Sequence, residues 1–380
     1  MNHDSETLII GAGPFGLGLA AYLQNRQHDF RLVGYPMEFW KRHMPAGMLL
    51  RSGVEWHLDP DNQWTIERFL TERGESTEQL EPLPLELYLA YCEWFIRQTQ
   101  LPIQETYVTQ LSRNGAGFRA TLADGSNLEA RQVVVATGFY SYSHVPDSVS
   151  ELIPVARLRH TRDANDLAAY RDKRVLIVGG RQSAFEWAAL LREAGAARVD
   201  LSYRHDTPQF TVSDWSWVEA LVTGMVDQPG WFRRLSSEEK EVQRLRLWTE
   251  GRLKLEPWLA ERIFRPEVHL HPRTQVRAVS EKPGGLSVTL DSGEELAVDE
   301  VIAATGYQVD IRRLPFLSES LLTELEITNG FPVLDEGFQS NVTGLYFSSF
   351  PAGQAFGPFF GFTIGVRAAS RILGAVLNGE

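Results

Sequence analysis

What most constrains this chain is a glycine turn near its start. Thr7 to Ile10 is a short apolar run of β character, Gly11-Ala12-Gly13-Pro14-Phe15-Gly16 follows, and LGLAAYLQNRQ reads as a helix. A G-x-G-x-x-G turn between a strand and a helix is the fingerprint of a dinucleotide site. The first glycine permits the tight turn, the second lets a pyrophosphate approach the backbone, and the third lets helix and strand pack closely. The helix N-terminus then faces the negative charge. One expected piece is missing. The second strand of such a unit usually ends in an acid that holds the ribose, about 20 residues on. Here the strand at Phe30–Val33 runs into Gly34-Tyr35, and Glu38 lies too far along, so backbone groups are expected to take the ribose.

A second unit of the same plan starts at Lys173. RVLIVGG enters a turn, Gly179-Gly180-Arg181-Gln182-Ser183-Ala184, and RQSAFEWAALLREAG reads as a helix with Gly195 as its C-cap. Arg181 replaces the middle glycine. Its side chain must point away from a pyrophosphate or curl over it as a cation. The next strand, Val199 to Tyr203, ends in Arg204-His205. A cation at that strand end suits a 2′-phosphate, where an acid would repel it, so NADPH is expected over NADH.

The two stretches repeat each other. Gly11 precedes Val108 by 97 residues and Gly179 precedes Val276 by 97; Gly125 precedes Gly138 by 13 and Gly293 precedes Gly306 by 13. The offset between the halves is 168 throughout. The middles do not look alike, so the short repeat carries more weight: strand, D-G or S-G turn, strand, then A-T-G, ending at Thr137-Gly138 and again at Thr305-Gly306. Internal repeats of this kind imply two dinucleotide-binding domains. Elsewhere, 63–70 and 84–98 read as helices. Residues 210–265 look largely helical and hold five of the ten tryptophans, so the segment is packed rather than a linker.

Composition narrows the function further. A net charge of −12 disfavours nucleic-acid and anionic-membrane partners. The only cysteine, Cys92, leaves no intramolecular disulfide, dithiol centre or Cys-rich metal site, and fits a cytoplasmic protein. MNHDSE is acidic and a poor export signal, and the four glycines that follow argue against a membrane span. His269 and His271 alternate as on a strand with no neighbouring carboxylate in sequence, so no metal site is expected.

Two Rossmann motifs, two A-T-G segments and Gly306-Tyr307 resemble the two-dinucleotide flavoproteins. Within them the chain looks most like the flavin-dependent monooxygenases that include N-hydroxylating, flavin-containing and Baeyer–Villiger enzymes, over nearly its whole length. Trp40-Lys41-Arg42-His43-Met44-Pro45-Ala46-Gly47-Met48-Leu49-Leu50 is similar to the segment under the flavin in amine N-hydroxylases. Gly344-Leu345-Tyr346-Phe347 and Phe356-Gly357-Pro358 resemble the C-terminal return to the FAD domain. The Baeyer–Villiger F-x-G-x-x-x-H stretch is broken: His160 is present, but Pro154 and Ala156 occupy the Phe and Gly places, which argues against a ketone oxygenase. His57 lies near the flavin by the same resemblance, although a structural role has the stronger claim.

The fold read from these features is α/β, with two Rossmann-like domains, the second inserted in the first. The FAD domain takes 1–160 and 300–380, and the NADPH domain takes 161–299 with the Trp-rich segment 210–265. Cofactor contacts are expected from Gly11, Gly13, Pro14, Phe15, Gly16, Trp40, Met48, Leu49, Arg51, Val108, Thr137, Gly138 and Phe356. In the inserted unit and at its return they are expected from Gly179, Arg181, Gln182, Ser183, Arg204, His205, Thr305 and Gly306. The resemblance implies an NADPH-dependent FAD monooxygenase. NADPH delivers hydride to FAD, and the reduced flavin captures dioxygen as a C(4a)-hydroperoxide. One oxygen then passes to a small amine, sulfide or aromatic substrate. The cofactor carries the chemistry, so no catalytic side chain is singled out. A reductase that passes electrons to another acceptor and a non-catalytic flavin-binding redox sensor are the alternatives. A homo-oligomer is compatible with the sequence.

Overall fold

The computed structural model describes residues 5–76, 80 and 82–379. Met1–Asp4, the first part of the acidic start, lie outside them. The chain opens with β1 (Ser5–Ile10), α1 (Pro14–Asn25) and β2 (Phe30–Val33), then α2 (Glu38–Arg42), α3 (Ile66–Glu72) and α4 (Leu85–Thr99). Strands β3 (Ile103–Gln104), β4 (Val108–Asn114), β5 (Gly117–Leu122) and β6 (Asn127–Val135) complete a sheet of order β3-β2-β1-β6-β5-β4. β1 is parallel to both β2 and β6 and sits at the centre, with Leu8, Ile9, Val133, Val134 and Val135 essentially inaccessible. Continuous apolar strands of this kind are what a parallel sheet covered on both faces demands.

The second unit has β7 (Leu158–His160), β8 (Arg174–Val178), α5 (Gln182–Glu193) and β9 (Arg198–Tyr203). The Trp-rich segment supplies α6 (Ser216–Asp227) and α7 (Ser237–Arg252), the latter opened by a capping box from Ser236 and Glu239. Strand β10 (Val268–Pro272) precedes a three-stranded antiparallel sheet, β11 (Val276–Lys282), β12 (Gly285–Leu290) and β13 (Glu295–Val298), and β14 (Glu300–Ala303) follows. Five strands form a wholly parallel sheet of order β10-β9-β8-β14-β7. The chain then returns: β15 (Leu345–Phe347) pairs with Val133–Val135 of the first sheet, and α8 (Gly365–Asn378) packs along α1.

The 168-residue offset is structural. Helix α1 at 14–25 becomes α5 at 182–193, β4 at 108–114 becomes β11 at 276–282, and β5 at 117–122 becomes β12 at 285–290. Even the irregularity between Val108 and Gln110 recurs between Val276 and Ala278. β6 at 127–135 recurs as β13 and β14, broken only at Asp299. The long spacing between the glycine turn and the fourth strand is therefore a property of the fold, although the intervening segments differ.

Candidate dinucleotide sites

The first turn separates two kinds of glycine. Gly11 has φ +114°, and a Cβ there would lie 2.5 Å from the carbonyl oxygen of Ala136. A Cβ on Gly16 would lie 1.8 Å from the Gly11 carbonyl oxygen. The protein itself requires those two. Gly13 is different: its φ is −81°, which any residue adopts, and a Cβ would meet nothing within 4 Å. The open space above Gly13 is the kind of cradle a pyrophosphate needs.

That space belongs to a cavity of about 810 Å³. Gly11, Gly13, Pro14, Phe15, Trp40, Val108, Thr137 and Gly138, all singled out in the sequence, line it together with Gly34, Tyr35, Tyr107, Ser349 and Thr363. The Thr137 hydroxyl is buried without a hydrogen-bond partner among the described residues. An orphaned buried donor costs free energy unless a ligand satisfies it. Ser349 holds φ +64°, an unusual conformation for a residue with a side chain, at the cavity wall. The donors, the volume and the helix N-terminus fit a dinucleotide such as FAD.

An acid does reach the cavity. Met37 adopts a left-handed conformation (φ 54°) that turns the chain back, so Glu38 at the start of α2 reaches the cavity wall. The Tyr107 hydroxyl donates to the Glu38 carboxylate, and Arg42 pairs with it at 3.2 Å. The carboxylate pushes the Tyr107 phenol up to about 12. Glu38 therefore lines the cavity although it lies beyond the end of β2 in sequence.

The second turn copies the first. Gly179 has φ +142°, and a Cβ there would lie 2.4 Å from the Ala304 carbonyl oxygen, which is the counterpart of Ala136. A Cβ on Gly180 would collide with Tyr203 at 2.4 Å, so the turn packs on the end of β9. Arg181 is the N-cap of α5, and Ser183 is exposed in the first turn of that helix. Arg204 follows β9, is exposed, and has no hydrogen-bond or ion-pair partner among the described residues. Beside it, burial lowers the His205 pKa, with Arg181 and Arg204 adding like charge. The Thr305 hydroxyl, unlike that of Thr137, is satisfied by the His144 carbonyl.

Two strands cross between the units. Ser143 and Tyr307 form an antiparallel bridge, with His144 N–H on the Gly306 carbonyl at 3.0 Å and Gln308 N–H on the Tyr142 carbonyl at 2.7 Å. Phe39, Phe139 and Tyr307 cluster edge to face at this crossing, and His160 Nε2 contacts the Gly306 carbonyl oxygen at 3.0 Å.

Several expected contacts lie elsewhere. Arg51 is outside the cavity; its guanidinium donates to Glu256 at 2.7 Å, to the Gly251 carbonyl at 3.1 Å and to Ser213 at 2.5 Å. It ties the first unit to the Trp-rich segment. The Leu49 N–H donates to Glu186 of α5 at 2.7 Å, and Met48 beside it is buried. Phe356 is core, stacked on Phe338 with centroids 3.7 Å apart. Gln182 accepts from the Glu256 N–H at 3.2 Å, but its amide nitrogen is buried without a partner among the described residues. His57 is buried next to Arg367 and does not line the cavity; burial first, then Arg367 and Arg371, lowers its pKa to about 3. His271 does have carboxylates: it sits between Asp200 at 2.8 Å and Glu294 at 3.0 Å, neither of them near it in sequence. Cys92 is buried, and burial raises its thiol pKa.

Residues 8–229 match the family described as pyridine nucleotide-disulphide oxidoreductase, and the chain belongs to that family. With one buried cysteine it has no dithiol to exchange. Over 215 residues it is 31% identical to the FAD-dependent urate hydroxylase of Xanthomonas campestris pv. campestris, covering 53% of this chain and 46% of that protein. Over 244 residues it is 25% identical to the trimethylamine monooxygenase of Pelagibacter ubique, covering 57% and 54%. The chain thus spans about half the length of the curated relatives it matches. The ornithine N-hydroxylase of Kutzneria sp. 744 superimposes over 100% of this chain and 99% of its own, with a TM-score of 0.82 at 16% identity, a likeness of fold. Among the described residues no helix is long and apolar enough to cross a membrane.

Proposed function

We propose that this chain is an NADPH-dependent FAD monooxygenase that acts on a small soft nucleophile, an amine, a sulfide or an aromatic carbon. The observation that carries the reading is the repeated turn: two Rossmann units in one register, the first opening on a cavity whose walls need a ligand at Gly13 and Thr137. FAD is assigned to that cavity, with Gly13 and the α1 N-terminus at the pyrophosphate and Glu38 at the ribose. NADPH is assigned to the second turn, with Arg204 at the 2′-phosphate. A bound flavin would accept hydride from the nicotinamide and pass its electrons to dioxygen.

The protein's part is positioning. The crossing ribbon at Ser143 and Tyr307 joins the two units beside the first cavity, and the aromatic cluster there lines the junction. We place the exchange between units at this ribbon rather than at 160 and 300, because β7 and β14 hydrogen-bond in the second sheet. A dithiol relay is unavailable, so electrons leave through the flavin or to an external acceptor. The relatives named above, a urate hydroxylase and a trimethylamine monooxygenase, support the oxygen-transfer reading, and the ferredoxin–NADP reductases that also match keep the reductase as the second reading. We place the protein in the cytoplasm, in keeping with its single thiol, and a homo-oligomer is compatible with this reading. The test is isotopic: with ¹⁸O₂ and a panel of amines, sulfides and phenols, a monooxygenase places one labelled atom in product. Reduction of every acceptor tried without label in any product would favour the reductase.

A further inference from the structure

Arg181 stands 168 residues after Gly13, at the same place in the repeat. The two backbones match: Gly13 has φ −81° and ψ −173°, and Arg181 has φ −110° and ψ −179°. The side chain of Arg181 therefore leaves the turn in the direction that is open space at Gly13. It runs to α7, where its guanidinium lies 4.8 Å from the Trp248 ring centroid and donates to the Arg252 carbonyl at 2.7 Å.

Helix α7 is held by polar contacts at its C-terminal end, where the Glu250 carboxylate accepts from the Asp214 N–H at 2.7 Å and pairs with Lys254, and Ser213 donates to the Glu250 carbonyl at 2.9 Å. None of its residues is buried, and Val242, Leu245 and Trp248 are 60%, 49% and 40% exposed. Its C-terminal end is gripped by two arginines from different units, Arg51 on the Gly251 carbonyl and Arg181 on the Arg252 carbonyl. Neither Arg181 nor Arg252 forms an ion pair with a described residue, and the same is true of Arg204. Burial lowers the Arg181 pKa, and the like charges of Arg252 and Arg204 lower it further. A guanidinium bonded only to a neutral carbonyl, among like charges, binds a phosphate more strongly than its present partner.

We propose that Arg181 is a pyrophosphate ligand held in reserve: coenzyme settling on the second turn takes its guanidinium from the Arg252 carbonyl and Trp248, and this releases the C-terminal end of α7. The proposal rests on the reading of that turn as the NADPH site. It makes Arg181 the substitute for the middle glycine, and it makes α7 a strap that coenzyme loosens at one of its anchors.

The test is hydrogen exchange of residues 248–255 in the flavin-loaded protein, with and without NADP⁺, alongside equilibrium binding of NADP⁺ and NAD⁺. In the wild type, NADP⁺ should speed exchange there by roughly tenfold, the weight of one hydrogen bond to a charged group. In Arg181→Gly, which gives the second turn the middle glycine of the first, exchange should be fast already and NADP⁺ should add nothing. NADP⁺ and NAD⁺ should both weaken by a similar factor, because the pyrophosphate is common to them, and Arg181→Lys should recover part of the loss. If NADP⁺ binds the wild type while exchange at 248–255 stays the same or slows, the proposal fails and the coenzyme assignment survives. If Arg181→Gly binds both coenzymes as tightly as the wild type, the proposal fails in the same way. If NADP⁺ does not bind the wild type at all, the coenzyme assignment falls and the proposal falls with it.

Discussion

Gly11 and Ala136 approach so closely that a Cβ on Gly11 would lie 2.5 Å from the Ala136 carbonyl oxygen, and Gly179 meets Ala304 in the same way at 2.4 Å. The contact locks the glycine turn to the strand that ends in A-T-G, once in each unit. It separates fold from binding in a testable way. Gly11→Ala puts a methyl group into backbone at a φ that suits glycine, and should cost about 1–3 kcal/mol or more. Gly13→Arg meets open space and should leave the melting temperature of the flavin-free protein nearly unchanged, yet abolish FAD occupancy. Thermal melts and the ratio of flavin to protein absorbance check both. Full FAD occupancy in Gly13→Arg would show that the first turn has been misread.

Glu38 is assigned to the FAD ribose. Hydrogen bonds to charged groups contribute roughly 1.5–3 kcal/mol, so Glu38→Ala should weaken FAD binding by about ten- to a hundredfold. Tyr107→Phe, which removes the hydroxyl that donates to Glu38, should have a smaller effect. Fluorescence titration of the apoprotein with FAD measures both. An unchanged dissociation constant in Glu38→Ala would leave the ribose to backbone groups.

Arg204 should select NADPH. Its guanidinium is exposed at the end of β9 and unpaired among the described residues, and a 2′-phosphate offers it two parallel hydrogen bonds. Arg204→Ala should weaken NADPH by about ten- to a hundredfold and leave NADH nearly unchanged. The readout is the ratio of kcat/KM for flavin reduction by the two coenzymes. Equal losses would make Arg204 structural.

Glu186 should make stability fall with rising pH. It is buried, and burial raises its pKa from the ordinary 4.5 to about 8, against the opposing pull of the Leu49 N–H, Arg262, Arg51 and Gln182. Arg51 is paired with Glu256 and Arg262 with Glu193. The folded state therefore holds a proton that the unfolded chain releases. This contribution is fully present below about 4.5 and is lost as pH rises through about 8. Glu186→Gln keeps an acceptor for the Leu49 N–H and removes the titration. Between pH 6 and 9 the wild-type melting temperature should fall more steeply than that of Glu186→Gln. Parallel pH profiles would rule out a raised Glu186.

Much of this architecture was legible because backbone conformation restricts residue type. Gly11, Gly125, Gly138, Gly179, Gly293 and Gly306 all have positive φ, so the repeat is written in glycines even where side chains have diverged. What stayed hidden was tertiary. Arg51 meets Glu256 across 205 residues and Leu49 meets Glu186 across 137, and no local pattern announces such pairs. Arg51 and Leu49 were therefore expected at the flavin, although they join the two units. The left-handed turn at Met37 that brings Glu38 to the cavity has no sequence signal. His271 looked isolated because Asp200 lies on the neighbouring strand β9 and Glu294 precedes β13.

The central claim is that hydride enters at the second turn, passes to a flavin at the first, and ends in activated oxygen. Anaerobic mixing of the FAD-loaded protein with NADPH, followed by rapid addition of dioxygen in the stopped-flow, tests it most directly. The account predicts stoichiometric bleaching of the flavin by NADPH, faster than by NADH, and then a transient absorbing in the near ultraviolet before oxidised flavin returns. A flavin that NADPH does not bleach would contradict the whole account. Bleaching followed by immediate reoxidation, with stoichiometric hydrogen peroxide for every candidate substrate, would contradict the monooxygenase assignment and leave a reductase.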